Sequence, residues 1–220
     1  MTNNPGNKHA NRSALTRERF IDAAQRLFAE RSIDSVSLNE ITVAAGQKNR
    51  NALQYHFGNR DGLLQAIIDQ HARRVLELRG KYLTSDPTEV SDPAAAAARA
   101  LVMPVVDHLE EDPAAIHYVK ILSQLAALNS DILNPATRST VSFQSDERLG
   151  LVLRRALEHL KPAESQRRLF LAVSLTFHSI ADICRASERE DTSRVLQNRS
   201  ALFEQAVLAI EMLLAAPARE

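Results

Sequence analysis

The chain has 220 residues, 45% of them hydrophobic, one cysteine and a formal net charge of zero. That is ample apolar material for a buried core, and a lone Cys184 excludes both an internal disulfide framework and a thiolate metal cage. No apolar run approaches the roughly 18 residues a bilayer span needs, and Met1 to Arg12 is polar where a leader is apolar, so the expectation is a cytoplasmic chain with no membrane partner.

The zero charge conceals a split. Residues 1–60 carry nine Lys/Arg against five Asp/Glu, and residues 61–220 carry 18 against 22. A basic end on a mildly acidic body is the asymmetry of a protein whose first segment faces phosphate. Apolar residues recur with a period near 3.6 throughout, no run alternates as a half-buried strand does, and the expected fold is all-α, with about nine helices.

In chain order, a polar tail over 1–12 leads to a first helix from about Thr16 to Arg31, with Phe20, Ala23, Ala24, Leu27 and Phe28 on one stripe. Ser37-Leu38-Asn39-Glu40 has the form of a capping box and opens a short second helix. That helix buries Leu38, Ile41 and Ala45 and stops at Gly46. A third helix spans about Asn49 to Phe57, and Asn59 caps a fourth that runs to about Tyr82. Residues 84–92 read as a linker. Asp92-Pro93, Asp112-Pro113 and Asn134-Pro135 each set a capping side chain before a proline at the first helical position, which marks three more helix starts. The last two helices, about 162–188 and 193–216, carry dense apolar stripes: Leu169, Val173, Phe177, Ile180 and Cys184 on one, Phe203, Val207, Ile210 and Leu214 on the other.

Two short helices joined by a glycine turn behind a longer helix are the parts of a helix-turn-helix, which sets the N-terminal side chains of its second helix into the major groove. Three stretches carry a closer likeness: Ala24-Gln25-Arg26-Leu27-Phe28, Ala44-Ala45-Gly46, and Leu53-Gln54-Tyr55-His56-Phe57-Gly58-Asn59-Arg60-Asp61-Gly62-Leu63-Leu64. Over about Thr16 to Ala66 the sequence resembles the TetR family of bacterial transcriptional regulators. It departs from the common pattern by one extra residue between Gly46 and Phe57, within Gln47-Lys48-Asn49-Arg50-Asn51, so the assignment of those side chains to particular bases or phosphates stays open.

The chemistry of these residues suits duplex DNA. Lys48 and Arg50 are long cations at the mouth of the recognition helix, and Asn49, Asn51 and Gln54 offer amide hydrogen bonds to base edges. The resemblance implies phosphate contacts for Tyr55, His56 and Arg60, and Ser37 at a helix N-terminus offers a hydroxyl and free amides. Lys8 and Arg12 are candidates for a minor-groove arm, and Phe57 reads as packing. The implied organisation is a DNA-binding domain over 13–60, a connecting helix over 61–83, the linker, and a helical ligand-binding and dimerisation domain over 93–220.

For the second part the resemblance implies a homodimer through the last two helices, reading a palindromic double-stranded DNA operator with recognition helices about 34 Å apart. It also implies an unidentified small-molecule effector among the middle helices. Polar groups on apolar helices are the candidates for its contacts: His71, His117, Tyr118 and His178, with Met103, Phe143 and Phe177 as apolar lining. Asn129 and Asp182 belong to the wider set. His178 and Asp182 stand four apart and are expected to hydrogen-bond, but one histidine and one carboxylate are too few for a metal, so neither metal nor cofactor is expected. The implied function is a ligand-released repressor. The alternatives are a ligand-dependent activator or a helical protein-interaction module. No phosphate loop, nucleophile elbow, HExxH or Cys/His cluster supports an enzyme.

Overall fold

The structure, a computed structural model, describes residues 5–218 apart from 50, 85, 129–140, 143, 145 and 190–192. Every regular element among the described residues is helical: ten α-helices with three short 3-10 turns. The residues divide into two compact units inside one helix. One unit runs to Gln70 and takes in Val141 and Ser142, and the other begins at His71. The sequence pattern had set its breaks at residue 60 and at 84–92, where a 3-10 turn, Pro87–Glu89, is capped by Asp86.

In the first unit, α1 (Pro5–Glu30) begins well before Thr16 and takes its backbone through most of the expected tail. Phe20, Ala24 and Phe28 are fully buried on its inner face. A 3-10 turn at Ile33–Ser35 leads to α2 (Leu38–Ala44), where the capping box forms as expected. Ser37 Oγ accepts from the Glu40 amide at 3.1 Å and the Ser37 amide donates to the Glu40 carboxylate at 2.8 Å. Gly46 takes a φ of 67°, the left-handed conformation that ends a helix at little cost only in glycine. Beyond it, α3 (Asn51–Phe57) starts two residues later than expected, and the Asn49 side chain turns back on that start, its Oδ1 accepting from the Asn51 amide at 3.0 Å.

Asn59 caps α4 (Arg60–Arg79), its Oδ1 accepting from the Gly62 amide at 2.9 Å. Gly62 sits so close to the end of α3 that a Cβ on it would lie 2.0 Å from the Phe57 carbonyl oxygen.

In the second unit Asp92 caps α5 (Pro93–Glu111), accepting from the Ala95 amide at 3.0 Å. This helix contains a buried proline, Pro104. A proline has no N–H to give the carbonyl four residues back, so the Ala100 carbonyl loses its helical partner. Arg79 at the end of α4 supplies the missing donor, with Nε 3.0 Å from the Ala100 oxygen. Around that bond α4 is fastened to α5 by a bidentate Arg74–Glu111 pair at 2.6 and 2.7 Å and by the Tyr82 hydroxyl donating to Asp107 at 2.9 Å.

Asp112 then caps a 3-10 turn, Pro113–Ala115, that leads into α6 (Ile116–Leu128). Asn134-Pro135, the third expected helix start, lies outside the described residues. The sequence reading also missed α7 (Glu147–Ala156), which is capped by Asp146.

Two long helices follow, as expected, but the second is interrupted. α8 spans Pro162–Ser187, and Asn198 separates a single turn, α9 (Arg194–Gln197), from α10 (Arg199–Ala215) by accepting from the Ala201 amide at 3.1 Å. By length and composition α8 passes the test for a membrane span, with a mean hydropathy of 1.4 over 18 residues, contrary to the expectation that no run would. It packs against α6 and α10. Its Arg168 is buried, and that guanidinium donates to the carbonyls of Leu213, Ala216 and Pro217, satisfying the open end of α10.

The stripe Phe203, Val207, Ile210 and Leu214 points inward and is at most 4% exposed, so it is the core of this unit and not a free face. Ile180 and Cys184 on α8 are buried likewise, while Leu169, Val173 and Phe177 are half-buried. The exposed large apolar residues of α8 and α10 are others: Leu171 and Leu175 on α8, Leu208 and Met212 on α10, each pair four apart on one helical face.

Two substitutions test these features. Alanine is normally the better helix former by about 1 kcal/mol, yet at Gly62 overpacking against Phe57 dominates, and Gly62→Ala is expected to cost about 1–3 kcal/mol in urea unfolding. Arg79→Met orphans the Ala100 carbonyl and is expected to cost about 1–3 kcal/mol. In a Pro104→Ala background, where an N–H returns, most of that penalty should disappear in a double-mutant cycle.

Candidate functional site

The first unit presents α2 and α3 on a closed hydrophobic base. Ile41 and Leu53 of these two helices are buried, as are Phe20 and Phe28 of α1, and α1 packs against both helices. The Phe57 ring meets Phe20 edge-on at 6.1 Å, which bears out its reading as packing. Because one face of α3 is spent on this base, the other is left to solvent. Lys48, Asn49, Asn51 and Gln54 are all exposed, and Tyr55 is 83% exposed. A ring held out to that degree gives little to the core beyond its edge-on contact with His56 at 5.1 Å, and its hydroxyl remains available to a partner. Ser37 is exposed at the N-terminus of α2. Arg50 lies outside the described residues.

The structure sorts the remaining candidates differently. His56 is half-buried between Phe20, Tyr55 and Phe57. Burial, helped by the charge of Arg17, holds its pKa below the usual imidazole value, so at neutral pH it is a neutral hydrogen-bonding group and not a cation. Arg60 is turned away from the role of phosphate clamp. Its guanidinium donates to the Ile33 carbonyl and lies 6.0 Å over the Phe28 ring, which ties the start of α4 to the turn between α1 and α2.

Arg31 pairs with Glu40 at 2.6 Å and holds that carboxyl down to about 2, with the Ser37 amide contributing, so the acid of the capping box stays ionised beside the interface.

Three residues of this surface were missed. Asn39 and Val43 stand exposed on α2, Val43 at 69%, and Arg17 of α1 lies 5.3 Å over the Phe57 ring. The signal for the first two was present, because the buried set Ile41, Thr42 and Ala45 leaves them on the opposite face of that helix.

Among the effector candidates the structure brings two together. His71 on α4 and Tyr118 on α6 are stacked, with centroids 4.6 Å apart and planes 18° from parallel. With them is a residue the sequence reading did not name: His108 of α5, whose Nε2 is 2.8 Å from His71 Nδ1. Burial drives His71 down to about 4 and lowers His108 as well, so both rings are neutral at neutral pH. The same burial pushes the Tyr118 phenol up. The Asp112 carboxylate also converges on the two imidazoles.

Farther along, Asp146 has an Oδ2 that is buried with no hydrogen-bond partner among the described residues. Arg79, half-buried, feels the charges of both Asp146 and Tyr118. Met103, His117, Phe177 and His178 are half-buried on α5, α6 and α8, outside the ring contacts of this cluster. Phe143 and Asn129 fall outside the described residues. Asp182 pairs with Arg185 at 2.8 Å, one turn away, in place of the expected bond to His178.

Residues 20–67 match the family described as bacterial regulatory proteins, tetR family. The chain is 35% identical over 85 residues to two uncharacterized HTH-type transcriptional regulators from strains of Mycobacterium tuberculosis, an alignment covering 39% of this chain and 40% of each relative. It is 35% identical over 72 residues to the HTH-type transcriptional regulator AcrR of Shigella flexneri, covering 33% of each chain. The chain thus spans well under half the length of the curated relatives it matches. Solved structures similar to it include a TetR-family regulator from Streptomyces coelicolor, at 16% identity over 97% of this chain and 99% of that one with a TM-score of 0.48. Another is RolR in complex with resorcinol, at 23% identity over 96% and 98% with a TM-score of 0.40. Residues 20–67 thus match a domain of the tetR family of bacterial regulatory proteins, and the likeness to HTH-type transcriptional regulators lies within an alignment of 85 residues.

Proposed function

We propose that this protein is a DNA-binding transcriptional regulator and not an enzyme, acting as a homodimer on a palindromic operator and released from it by a small molecule. The observation that carries the reading is the outer face of α3 and the turn before it. Lys48, Asn49, Asn51, Gln54 and Tyr55 are exposed together on a rigid base. A cation, three amides and an aromatic hydroxyl along a short helix and the turn before it are the groups that donate to phosphates and pair with base edges. The shared domain with HTH-type transcriptional regulators supports the same reading.

Dimerisation accounts for the outward apolar residues Leu171, Leu175, Leu208 and Met212, which a monomer would leave in water. Two-fold pairing of α8 and α10 would bury them and set two recognition helices on successive major grooves. For the effector, the unpaired Asp146 oxygen near the half-buried Arg79 guanidinium suits a ligand with a hydrogen-bond donor. Release then follows if ligand binds the arrangement that does not fit the operator more tightly than the one that does.

The decisive experiment is selection of bound fragments from a random duplex library by the purified protein, followed by gel shifts in rising salt. A two-fold symmetric half-site repeat and a steep salt dependence are expected, and affinity for no duplex would sink the proposal. Lys48→Ala should weaken binding and reduce the salt slope by about one unit. Arg60→Ala, by contrast, should leave the slope in place and cost about 1–2 kcal/mol of folding stability, because its partner is the Ile33 carbonyl. In sedimentation equilibrium the wild type should be a dimer and Leu175→Glu a monomer. A wild-type monomer at micromolar concentration would remove the dimer from the proposal.

A further inference from the structure

The DNA-reading surface makes no use of the paired imidazoles in the second unit. His71 and His108 are 3% and 7% exposed and meet ring nitrogen to ring nitrogen at 2.8 Å. Asp112, less buried than either, joins them, and the three donor atoms all lie within 4.8 Å of one another. We propose that His71, His108 and Asp112 form a binding site for a late first-row divalent transition metal ion, of the class of Zn²⁺, Ni²⁺ and Co²⁺.

The donor set selects that class. Two imidazole nitrogens with one carboxylate suit borderline ions, whereas Mg²⁺ and Ca²⁺ take oxygen donors and Cu(I) takes sulfur. The spacing agrees. With metal–nitrogen bonds of about 2.0–2.1 Å, nitrogens 2.8 Å apart subtend roughly 85° at the ion, the angle of two adjacent positions in a five- or six-coordinate site.

The carboxylate closes the third position by rotation of an incompletely buried side chain, and its place at the end of α5 is fixed by the bond that Oδ1 accepts from the Ala114 amide at 3.0 Å. Tyr118, stacked on His71, holds that ring in its plane, the orienting role a ligand imidazole requires. Three protein donors leave the remaining positions to water or to an oxygen of another ligand. Since α4, α5 and the turn after α5 each supply one donor, a bound ion would cross-link them at a single point.

The competing account is an ordinary hydrogen bond between two neutral imidazoles, which needs no ion. The test is titration of the full chain, stripped with chelator, by Co²⁺ followed through its visible d–d absorption and by Zn²⁺ in calorimetry. One ion per chain is expected, with a rise in Tm on adding Zn²⁺. His108→Gln and Asp112→Asn should each weaken binding by at least about tenfold, while His159→Gln should leave it unchanged. Asp112→Asn keeps a side-chain oxygen for the Ala114 amide, so it decides the matter even if His108→Gln fails to fold. No d–d band and no Zn²⁺ heat, or binding that survives both substitutions, would overturn the proposal and leave the hydrogen bond. Because the readout is the metal itself, the result stands apart from any outcome of the DNA experiments.

Discussion

A helix cannot leave a buried carbonyl without a donor, and Pro104 forces that problem on the middle of α5. Its solution, the Arg79 guanidinium on the Ala100 oxygen, brings a charge into the interior of the second unit. Burial lowers the pKa of that arginine, and the nearby Asp146 carboxylate offsets part of the cost. The other polar links between α4 and α5, Arg74 to Glu111 and Tyr82 to Asp107, flank the same contact. One missing N–H therefore accounts for the partner of α4, for a half-buried cation and for the company that cation keeps.

Features that depend on neighbours in sequence were legible there. The capping box at Ser37, the glycine stop at Gly46, the Asn59 cap and the proline-led start of α5 each rest on contacts within four residues, and each forms. Features that depend on distant partners were not. Asn198 reads as one more residue of a long helix until its side chain is seen to cap the second half of it. Arg60 reads as a surface cation because its acceptor, the Ile33 carbonyl, lies 27 positions back. Periodicity identified the stripes on the last two helices but not which way they face, since a core face and an interface carry the same residue types.

The candidate sites divide along the same line. On α3 the exposed side chains were found because a short amphipathic helix has only one face to offer. The cluster in the second unit was half seen. His71 and Tyr118 stood out as polar groups on apolar helices, whereas His108 is 37 positions from its partner and Asp112 already had a role as a cap. A residue with a local explanation hides its non-local one.

The exposure of the α3 face has an evolutionary reach. Phe20, Phe28, Ile41 and Leu53 hold the first unit together, and none of them is among the solvent-facing residues Lys48, Asn49, Asn51, Gln54 and Tyr55. Substitutions on that outer face perturb little of the packing, since exposed positions away from caps and cores usually shift stability by no more than about 0.5 kcal/mol. Asn49 is the exception, because its side chain holds the Asn51 amide at the start of α3. If that face reads DNA as proposed, target preference can drift through these positions while the scaffold stays unchanged.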